Sequence, residues 1–432
     1  MRPDLKALRR SSGFVRARKV VLGLAAWVWR RAMVRTTFVA VAGSSGKTTT
    51  KELLAACLEP QAPTMHSRGT RNSRRHSSTE RSILRVRPWH RFAVIEIGIQ
   101  EKGNMAAEVR LLRPDVVVML NVKRLHTNEF KTLEAIAEEK SVLLKSLGPR
   151  NLAILNADDP RVAAMESGLR CRVIRFSAGE EAGAAVTYRG VTAAWPNRLK
   201  LTVVSEGRPY EVETRLVGKH WANAVVAALT VAGVLGVPMS AAVSAVAEVP
   251  PFWLRMQPVE LTTRGVTFLR DEFNGSIDTY EAAFEVLREA TADRIVVLFS
   301  DFSDSNRSDR KRGRQLGRMA AELSELAVFV GSNAHHGAAA AIYNGLPEEQ
   351  VGAFDSAIEA GAFLDRTLRP GDLVLIKGRT SNHVSRAYLS LLDEVTCVKD
   401  PCSFRISCDE CPELGFAWRP ELADFMVTPN QM

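Results

Sequence analysis

The sequence predicts an α/β protein: a central phosphate-binding domain on a parallel sheet, followed by a second α/β domain. Three observations predict it. An apolar, β-branched run over 36–41 leads into Gly43-Ser44-Ser45-Gly46-Lys47-Thr48-Thr49 and then into a helical pattern ending near Leu58. Short apolar strands and helical stretches then alternate to about residue 156, the pattern of a parallel sheet with helices on both faces. Beyond Pro250-Pro251 the alternation resumes, with strands at 266–269, 294–299, 326–330 and 373–377.

A chain of 432 residues has room for about two to four domains. With 46% hydrophobic and 25% charged residues it has the composition of a globular protein rather than a disordered one. No run is long and apolar enough to span a bilayer. The net charge of +10 suits an anionic substrate, an acidic membrane face or nucleic acid. Nucleic acid is disfavoured, because no binding module or aromatic-interleaved basic sheet appears. Cysteines are sparse before the tail, so a reducing cytoplasm is expected.

Residues 1–35 are basic, with Arg9, Arg10, Arg16, Arg18, Lys19, Arg30, Arg31 and Arg35 around the apolar stretch 20–29 and its two tryptophans. Such a stretch either lies on the inner face of a membrane as a peripheral contact or docks on the next domain. No small-residue cleavage site follows it, which argues against a signal peptide. In the turn that follows, glycines let backbone N–H groups close around phosphate oxygens at a helix N-terminus. Lys47 supplies a full charge and Thr48 a hydroxyl for Mg²⁺. Val41 stands where the full phosphate-loop pattern has its first glycine.

The Arg- and Ser-rich segment 67–87 is a loop beside an anion or a solvated basic loop. Glu96 ends the apolar strand 92–98, where a carboxylate either binds a cation or finds a structural donor. His126 follows the strand 115–121, at the carboxyl edge where open α/β sheets bind ligands. By position alone it reads as a surface histidine. Lys140 falls in a helix from about 132 to 147, and by position alone is a surface lysine. Residues 172–217 suggest short strands and hairpins, and Gly218-Lys219-His220-Trp221-Ala222-Asn223 opens an alanine-rich helix.

These landmarks resemble the ATP-dependent Mur ligases, most closely the type that adds D-alanyl-D-alanine. The resemblance rests on Gly43 to Thr49, Glu96-Ile97-Gly98, Asn121-Val122 with His126, Ala137-Glu138-Glu139-Lys140 and Asn156-Ala157-Asp158-Asp159-Pro160. It continues through Gly218-Lys219-His220 with Asn223, the stretch 271–278, and Lys377-Gly378-Arg379, in family order over about 36–393. It implies a phosphate-loop ATPase domain over 36–250 and a Rossmann-like C-terminal domain over 251–393, between an N-terminal extension (1–35) and a tail (394–432). It implies an ADP-forming ligase joining a small-molecule carboxylate to an amino acid or peptide amine through an acyl phosphate, in cell-wall or related conjugate synthesis.

By the same resemblance, Gly43, Ser44, Ser45, Gly46, Lys47, Thr48 and Thr49 hold the phosphates of ATP. Thr48 and Glu96 hold one Mg²⁺, and His126 helps bind a second. Lys140 matches a lysine that the family carbamylates, which turns a cation into a metal-binding carboxylate. Lys47, His126 and Lys140 are thus the catalytic set. Asn223, Asn274, Asp271 and Arg255 match nucleotide contacts, and Lys377 and Arg379 lie near the incoming amine.

Some positions depart from the family. Residues 1–35 stand where the peptidoglycan enzymes carry a domain for the UDP-sugar. Trp221 replaces an asparagine, Asn274-Gly275-Ser276-Ile277 replaces Asn-Ala-Asn-Pro, and the stretch 300–307 replaces an acidic segment. These departures imply a specialised substrate. A phosphate-loop kinase or NTPase, or a non-catalytic nucleotide-binding partner, is the alternative. In the tail, Cys397, Cys402, Cys408 and Cys411 offer four thiolates for Zn²⁺, against free thiols as the competing reading.

Overall fold

The computed structural model describes residues 12–69, 78–99, 101–124, 129–179, 183–301, 308–397, 399, 402–404 and 407–415, with side chains from residue 20 onward. The chain divides into two compact units. The first comprises Met1–Arg189, Thr202–Val212 and Ala222–Val249; the second comprises Gly190–Leu201, Glu213–Trp221 and Pro250–Met432.

In the first unit, helix α1 (Ser12–Ala32) precedes β1 (Thr37–Ala42), α2 (Lys47–Leu58), β2 (Thr64–His66), α3 (Thr79–Arg85) and β3 (Phe92–Glu96). Then come α4 (Asn104–Leu112), β4 (Val116–Met119), α5 (Leu133–Lys145), β5 (Leu152–Asn156), α6 (Pro160–Ala164) and β6 (Arg172–Ala178). Strands β7 (Val186–Thr192), β8 (Lys200–Ser205) and β9 (Arg208–Glu213) precede α7 (Ala222–Val234) and α8 (Met239–Glu248). The larger sheet runs β2-β3-β1-β4-β5-β6-β7-β8-β9. The central strands are unbroken apolar runs because helices cover both faces. Strand β1 lies between β3 and β4, both parallel to it; the connection after β1 runs to one side, toward β2, and the connection after β3 crosses to the other, to β4. That is the switch point at which open α/β sheets form a ligand crevice, and the glycine-rich turn sits there.

The hairpins expected over 172–217 give way in part to a parallel arrangement, because β6 pairs parallel with β5 and β7 parallel with β6. The half-exposed, alternating burial of β6 and β7 mimics an antiparallel pattern at the level of sequence.

Helix α2 starts on Gly46, which is left-handed at φ 81° and carries no side-chain cap. Its first N–H groups are therefore not capped by a side chain at that end. Gly46→Ala is expected to cost about 1–2 kcal/mol, since an L-residue is strained there. Calorimetry would read this as a lower Tm, with nucleotide binding weakened in parallel.

In the second unit, β10 (Gln257–Leu261), β11 (Val266–Asp271), α9 (Ile277–Arg288), β12 (Arg294–Ser300), α10 (Asp309–Leu323) and β13 (Leu326–Val330) lead to α11 (Ala334–Tyr343). Strand β14 (Val351–Phe354), α12 (Ala357–Thr367), β15 (Asp372–Lys377) and α13 (Ser385–Leu389) follow. The sheet order is β10-β11-β15-β12-β13-β14, parallel apart from the β10–β11 pair. One face packs on α9, α10 and α11 through Tyr280, Phe284, Leu316 and Ala338. The other packs on α12 and α13, and Cys408 and Leu414 of the tail join that layer. Among the described residues, no helix is long and apolar enough to cross a membrane.

Candidate active site

The glycine-rich turn is held in shape from the end of β4. Asn121 Oδ1 accepts from the N–H groups of Ser44 (3.0 Å) and Ser45 (2.9 Å), and the Ser44 N–H also donates to the Asn121 carbonyl (3.0 Å). Gly43 must be glycine for a steric reason: a Cβ there would lie 2.9 Å from that of Leu120. The segment after β4 is itself fixed by Asp159, which accepts from the Val122 N–H at 2.8 Å while capping α6. Asn156 Nδ2 donates to the Leu120 carbonyl at 2.8 Å. The motif at 156–160 is thus a brace for the loop.

Within this frame, Thr48 donates its hydroxyl proton to Glu96 Oε2 at 2.8 Å, and both residues are buried. A hydroxyl and a carboxylate oxygen converging at the carboxyl ends of β1 and β3 form a hard-oxygen donor set that fits Mg²⁺. Lys47 Nζ reaches the Ser44 carbonyl at 3.1 Å. The Thr49 hydroxyl is buried with no hydrogen-bond partner among the described residues, a donor that a nucleotide phosphate oxygen would satisfy.

Lys140 is 2% exposed, and its amine donates to the Gly43 carbonyl at 2.9 Å. The surface-lysine reading is therefore wrong. Burial, and then the charge of Lys47, pull this amine well below the usual lysine range. Its neighbour Glu139 accepts from the N–H groups of Gly103 (2.9 Å) and Met105 (2.8 Å), holding α5 against the start of α4. His126 lies outside the described residues.

Asn223, at the start of α7, accepts on Oδ1 from the Tyr188 hydroxyl at 2.8 Å. Tyr188 stands beside Asp158; burial and that carboxylate raise its phenol above the ordinary range, so it stays a donor. Sequence reasoning missed Lys51. It is fully buried in α2, donates to the carbonyls of Ser67 and Gly69, and pairs with Glu52 at 2.8 Å. It ties the start of the Arg- and Ser-rich segment to the helix that carries the phosphate loop. Its neighbours Thr50 and Glu52 are polar, so nothing in the local sequence marked it as buried.

In the second unit, Asp271 and Lys377 end neighbouring strands and face each other in register. Lys377 is 1% exposed, and its ammonium reaches Asp271 Oδ2 (2.7 Å), the Asp271 carbonyl (3.0 Å) and the Asn274 carbonyl (2.7 Å). These contacts use its three donors, so Lys377 clamps the 271–274 turn. Asp271 Oδ1 accepts from the Met256 N–H at 3.2 Å, and the Arg255 guanidinium lies 4.7 Å from the Phe273 ring centroid.

Arg379 borders a cavity of about 220 Å³ at the carboxyl ends of β12 and β13, lined also by Ser300, Asp301, Asn333 and Asn382. Its Nε donates to Asn382 Oδ1 at 3.0 Å, and Asp301 pairs with Arg312 at 2.6 Å. The cavity rim thus carries both signs of charge.

The tail departs from the zinc expectation. Among the described residues, no three His, Cys, Asp or Glu side chains gather as a metal-holding group, although all four tail cysteines are described. Instead Cys408 Sγ lies 3.2 Å from His383 Nδ1, and burial raises its thiol to about 12. A buried protonated thiol behaves as a small apolar core residue.

The comparisons with known proteins agree with this geometry. The family model for the Mur ligase middle domain matches residues 41–232, and that for the Mur ligase, glutamate ligase domain matches residues 254–380. A UDP-N-acetylmuramoyl-tripeptide--D-alanyl-D-alanine ligase of Mycobacterium tuberculosis is 29% identical over 384 residues, covering 84% of this chain and 74% of that protein. The Escherichia coli protein of the same name is 28% identical over 275 residues, covering 64% and 60%. A crystal structure of MurF from Acinetobacter baumannii matches with a TM-score of 0.77 at 25% identity, over 87% of this chain and 80% of that one. MurF ligase from Thermotoga maritima in complex with ADP has a TM-score of 0.71 at 21% identity, over 85% and 82%, and supports the fold alone. A phosphate loop braced by Asn121, a Thr48–Glu96 pair and a buried lysine, on a chain matched by both domain models, place this protein in the Mur ligase family of ATP-dependent amide ligases.

Proposed function

We propose that this Mur ligase joins the carboxylate of a muropeptide, UDP-linked or lipid-linked, to the amine of a short peptide such as D-alanyl-D-alanine. The observation that carries the reading is Lys140, a buried amine at the phosphate loop. A neutral amine attacks CO₂ and loses a proton to give a carbamate. A lysine so modified would present an anion at the phosphate loop, where the amine now meets the Gly43 carbonyl. One Mg²⁺ held by Thr48 and Glu96 and a second with His126, the carbamate serving the metal site as well, would neutralise charge on the phosphates.

The substrate carboxylate attacks the γ-phosphorus of ATP, giving an acyl phosphate and ADP. The amine then adds to the acyl carbon, and collapse of the tetrahedral intermediate expels inorganic phosphate. Neither step needs a covalent enzyme nucleophile, so the chain's contribution is positioning and charge. Lys47 would meet the γ-phosphate. The shaped turn of Gly43 to Thr49 would hold the other phosphates. Asn223, oriented by Tyr188, would meet the base, and Asp271, Asn274 and Arg255 would make the remaining nucleotide contacts. The cavity beside Arg379 suits an amine substrate that carries a carboxylate, which the guanidinium would bind. Lys377 acts one step back, by fixing the 271–274 turn. We place the enzyme in the cytoplasm, with its N-terminal helix toward the membrane.

Arg379→Ala is expected to raise KM for the amine about ten- to a hundredfold, the loss of a charged hydrogen bond, with KM for ATP little changed. Steady-state kinetics with each substrate varied in turn would check this.

The deciding experiment follows ADP and product mass with ATP, Mg²⁺, UDP- and lipid-linked muropeptides and a panel of amino acids and dipeptides, with Lys47→Ala as control. An amine-dependent condensation product supports the reading. A phosphorylated product without condensation overturns it in favour of a kinase. No ADP from any pair, despite ATP binding, favours a non-catalytic partner.

A further inference from the structure

Helix α1 has two apolar faces, and among the described residues the first unit covers only one. The covered face is fastened by specific bonds. Ala26 and Met33 are buried, and Trp29 Nε1 donates to the Val86 carbonyl at 2.8 Å. Arg30 reaches the Leu112 and Arg113 carbonyls at the C-terminus of α4, both at 2.6 Å, stacks on Phe38 at 3.7 Å and pairs with Asp115 at 3.3 Å. A helix pinned at that many points cannot roll to hide its other side.

The other side carries Val20, Val21, Leu24, Trp27 and Val28, spaced as one helical stripe and 45–66% exposed. Val34 and Trp89 are exposed as well, at 83% and 67%. These two precede β1 and β3, strands whose first residues, Thr37 and Phe92, are paired, so they lie at the same edge of the sheet. Isolated exposed apolar residues need no explanation, but a rigid stripe of five does.

The charge around the stripe says what covers it. The helix sequence from Ser12 to Ala32 contains Arg16, Arg18, Lys19, Arg30 and Arg31 and no acidic residue. Arg31 stacks on Trp27 at 3.6 Å, and Arg35, Arg87 and Arg91 are exposed nearby in sequence to Val34 and Trp89. Asp115 is already paired with Arg30, and Glu108 of α4 is already bonded by the Thr79 hydroxyl. A second copy of the chain would bring the same positive face, and like charges would oppose the contact. An anionic bilayer supplies both an apolar interior for the stripe and negative headgroups for its flanks, and tryptophan favours that boundary.

We propose that the outward face of α1, with Val34 and Trp89, is a docking surface for anionic lipid. The helix lies in the headgroup plane with its buried face still on α3 and α4. This deepens the membrane-facing placement given above and stands independently of which acid and amine the enzyme joins.

The test sediments the full chain with phosphatidylcholine vesicles, with and without phosphatidylglycerol. The expected result is co-sedimentation with the anionic vesicles, weakened by salt, and at least a tenfold loss in Val21→Asp/Leu24→Asp/Val28→Asp. Circular dichroism and Tm confirm that this variant is folded, and its ATP-dependent turnover of soluble substrates should be unchanged. A fold-preserving check uses spin-labelled lipid, whose quenching of tryptophan fluorescence should fall in Trp27→Phe. Failure of the wild type to sediment, equal sedimentation of the triple variant, or unchanged quenching in Trp27→Phe overturns the proposal. A wild-type dimer by light scattering that the triple variant splits, with no vesicle binding by either, would instead assign the stripe to a second copy. Loss of ligation with intact vesicle binding would count against the substrate reading and leave this one standing.

Discussion

Lys140→Met is expected to lower kcat for ligation about 10²–10³-fold, the scale of losing one preorganised charge-stabilising group, while leaving the fold intact. The side chain is buried, its amine is held by the Gly43 carbonyl, and burial with Lys47 nearby favours its neutral form. Methionine fills nearly the same volume without a charge to desolvate. The pH argument has a definite sign. An amine whose folded pKa lies below its unfolded one binds fewer protons when folded, so it weakens the fold at low pH and the penalty shrinks as pH rises. Lys140→Met removes that penalty, so its Tm should equal or exceed the wild type's, with the gain largest toward acid. A large fall in Tm would mean that Lys140 is structural. Removal of CO₂ from the buffer should lower wild-type activity reversibly, and intact-protein mass spectrometry should find the mass of one CO₂ on the active wild type and none on the variant.

The largest stability effect is expected at Arg270. This guanidinium is fully buried, lies bidentate on Asp409 of the tail, and also pairs with Glu272. Glu272 receives the Ser385 hydroxyl at 3.0 Å as well. Arg270→Met leaves two carboxylates buried without their cation, a loss of about 3–5 kcal/mol. Replacing all three partners together (Arg270→Met, Glu272→Gln, Asp409→Leu) should recover most of it, because no charge is then stranded. Denaturant melts of the variants would check both statements, and recovery failing in the triple variant would argue that packing rather than charge dominates. Burial opposes the Asp409 charge, but Arg270 and Ser407 outweigh it and hold the carboxyl below its ordinary range. A depressed folded pKa means that its stabilisation is complete above the ordinary carboxylate value and is lost as pH falls through the lower folded one. In Asp409→Asn, that acid-side dependence should shrink.

The tail shows why spacing alone misled. Four cysteines within fifteen residues are compatible with a metal knuckle, and sequence carries no information on which way their side chains point. In the fold, Cys408 and Leu414 complete the apolar layer beneath α12 and α13, and Asp409 answers a charge on β11. The need to satisfy buried Arg270 and cover that sheet face determines the tail's path. Neither requirement is visible without knowing that Arg270 is buried. Lys377 carries the same lesson in reverse: a lysine next to Gly378-Arg379 invites a substrate role, but the register that sets it opposite Asp271 spends its donors on the protein.

By itself, the sequence determined the α/β class, the strand–turn–helix phosphate loop and the identity of Glu96 as a strand-end carboxylate. Those follow from local periodicity and from residue types that only one local geometry accommodates, and local rules act within a few residues. Only the tertiary structure decided that Lys140 is buried at Gly43, that Asn121 and Asp159 brace the loop, that α1 exposes one apolar face while fastening the other, and that the tail is part of the core. Each of these joins groups tens to more than a hundred residues apart, and what unites them is desolvation. The charge state of an amine, the worth of an ion pair and the fate of an apolar stripe depend on what surrounds them in space, which the order of residues does not state.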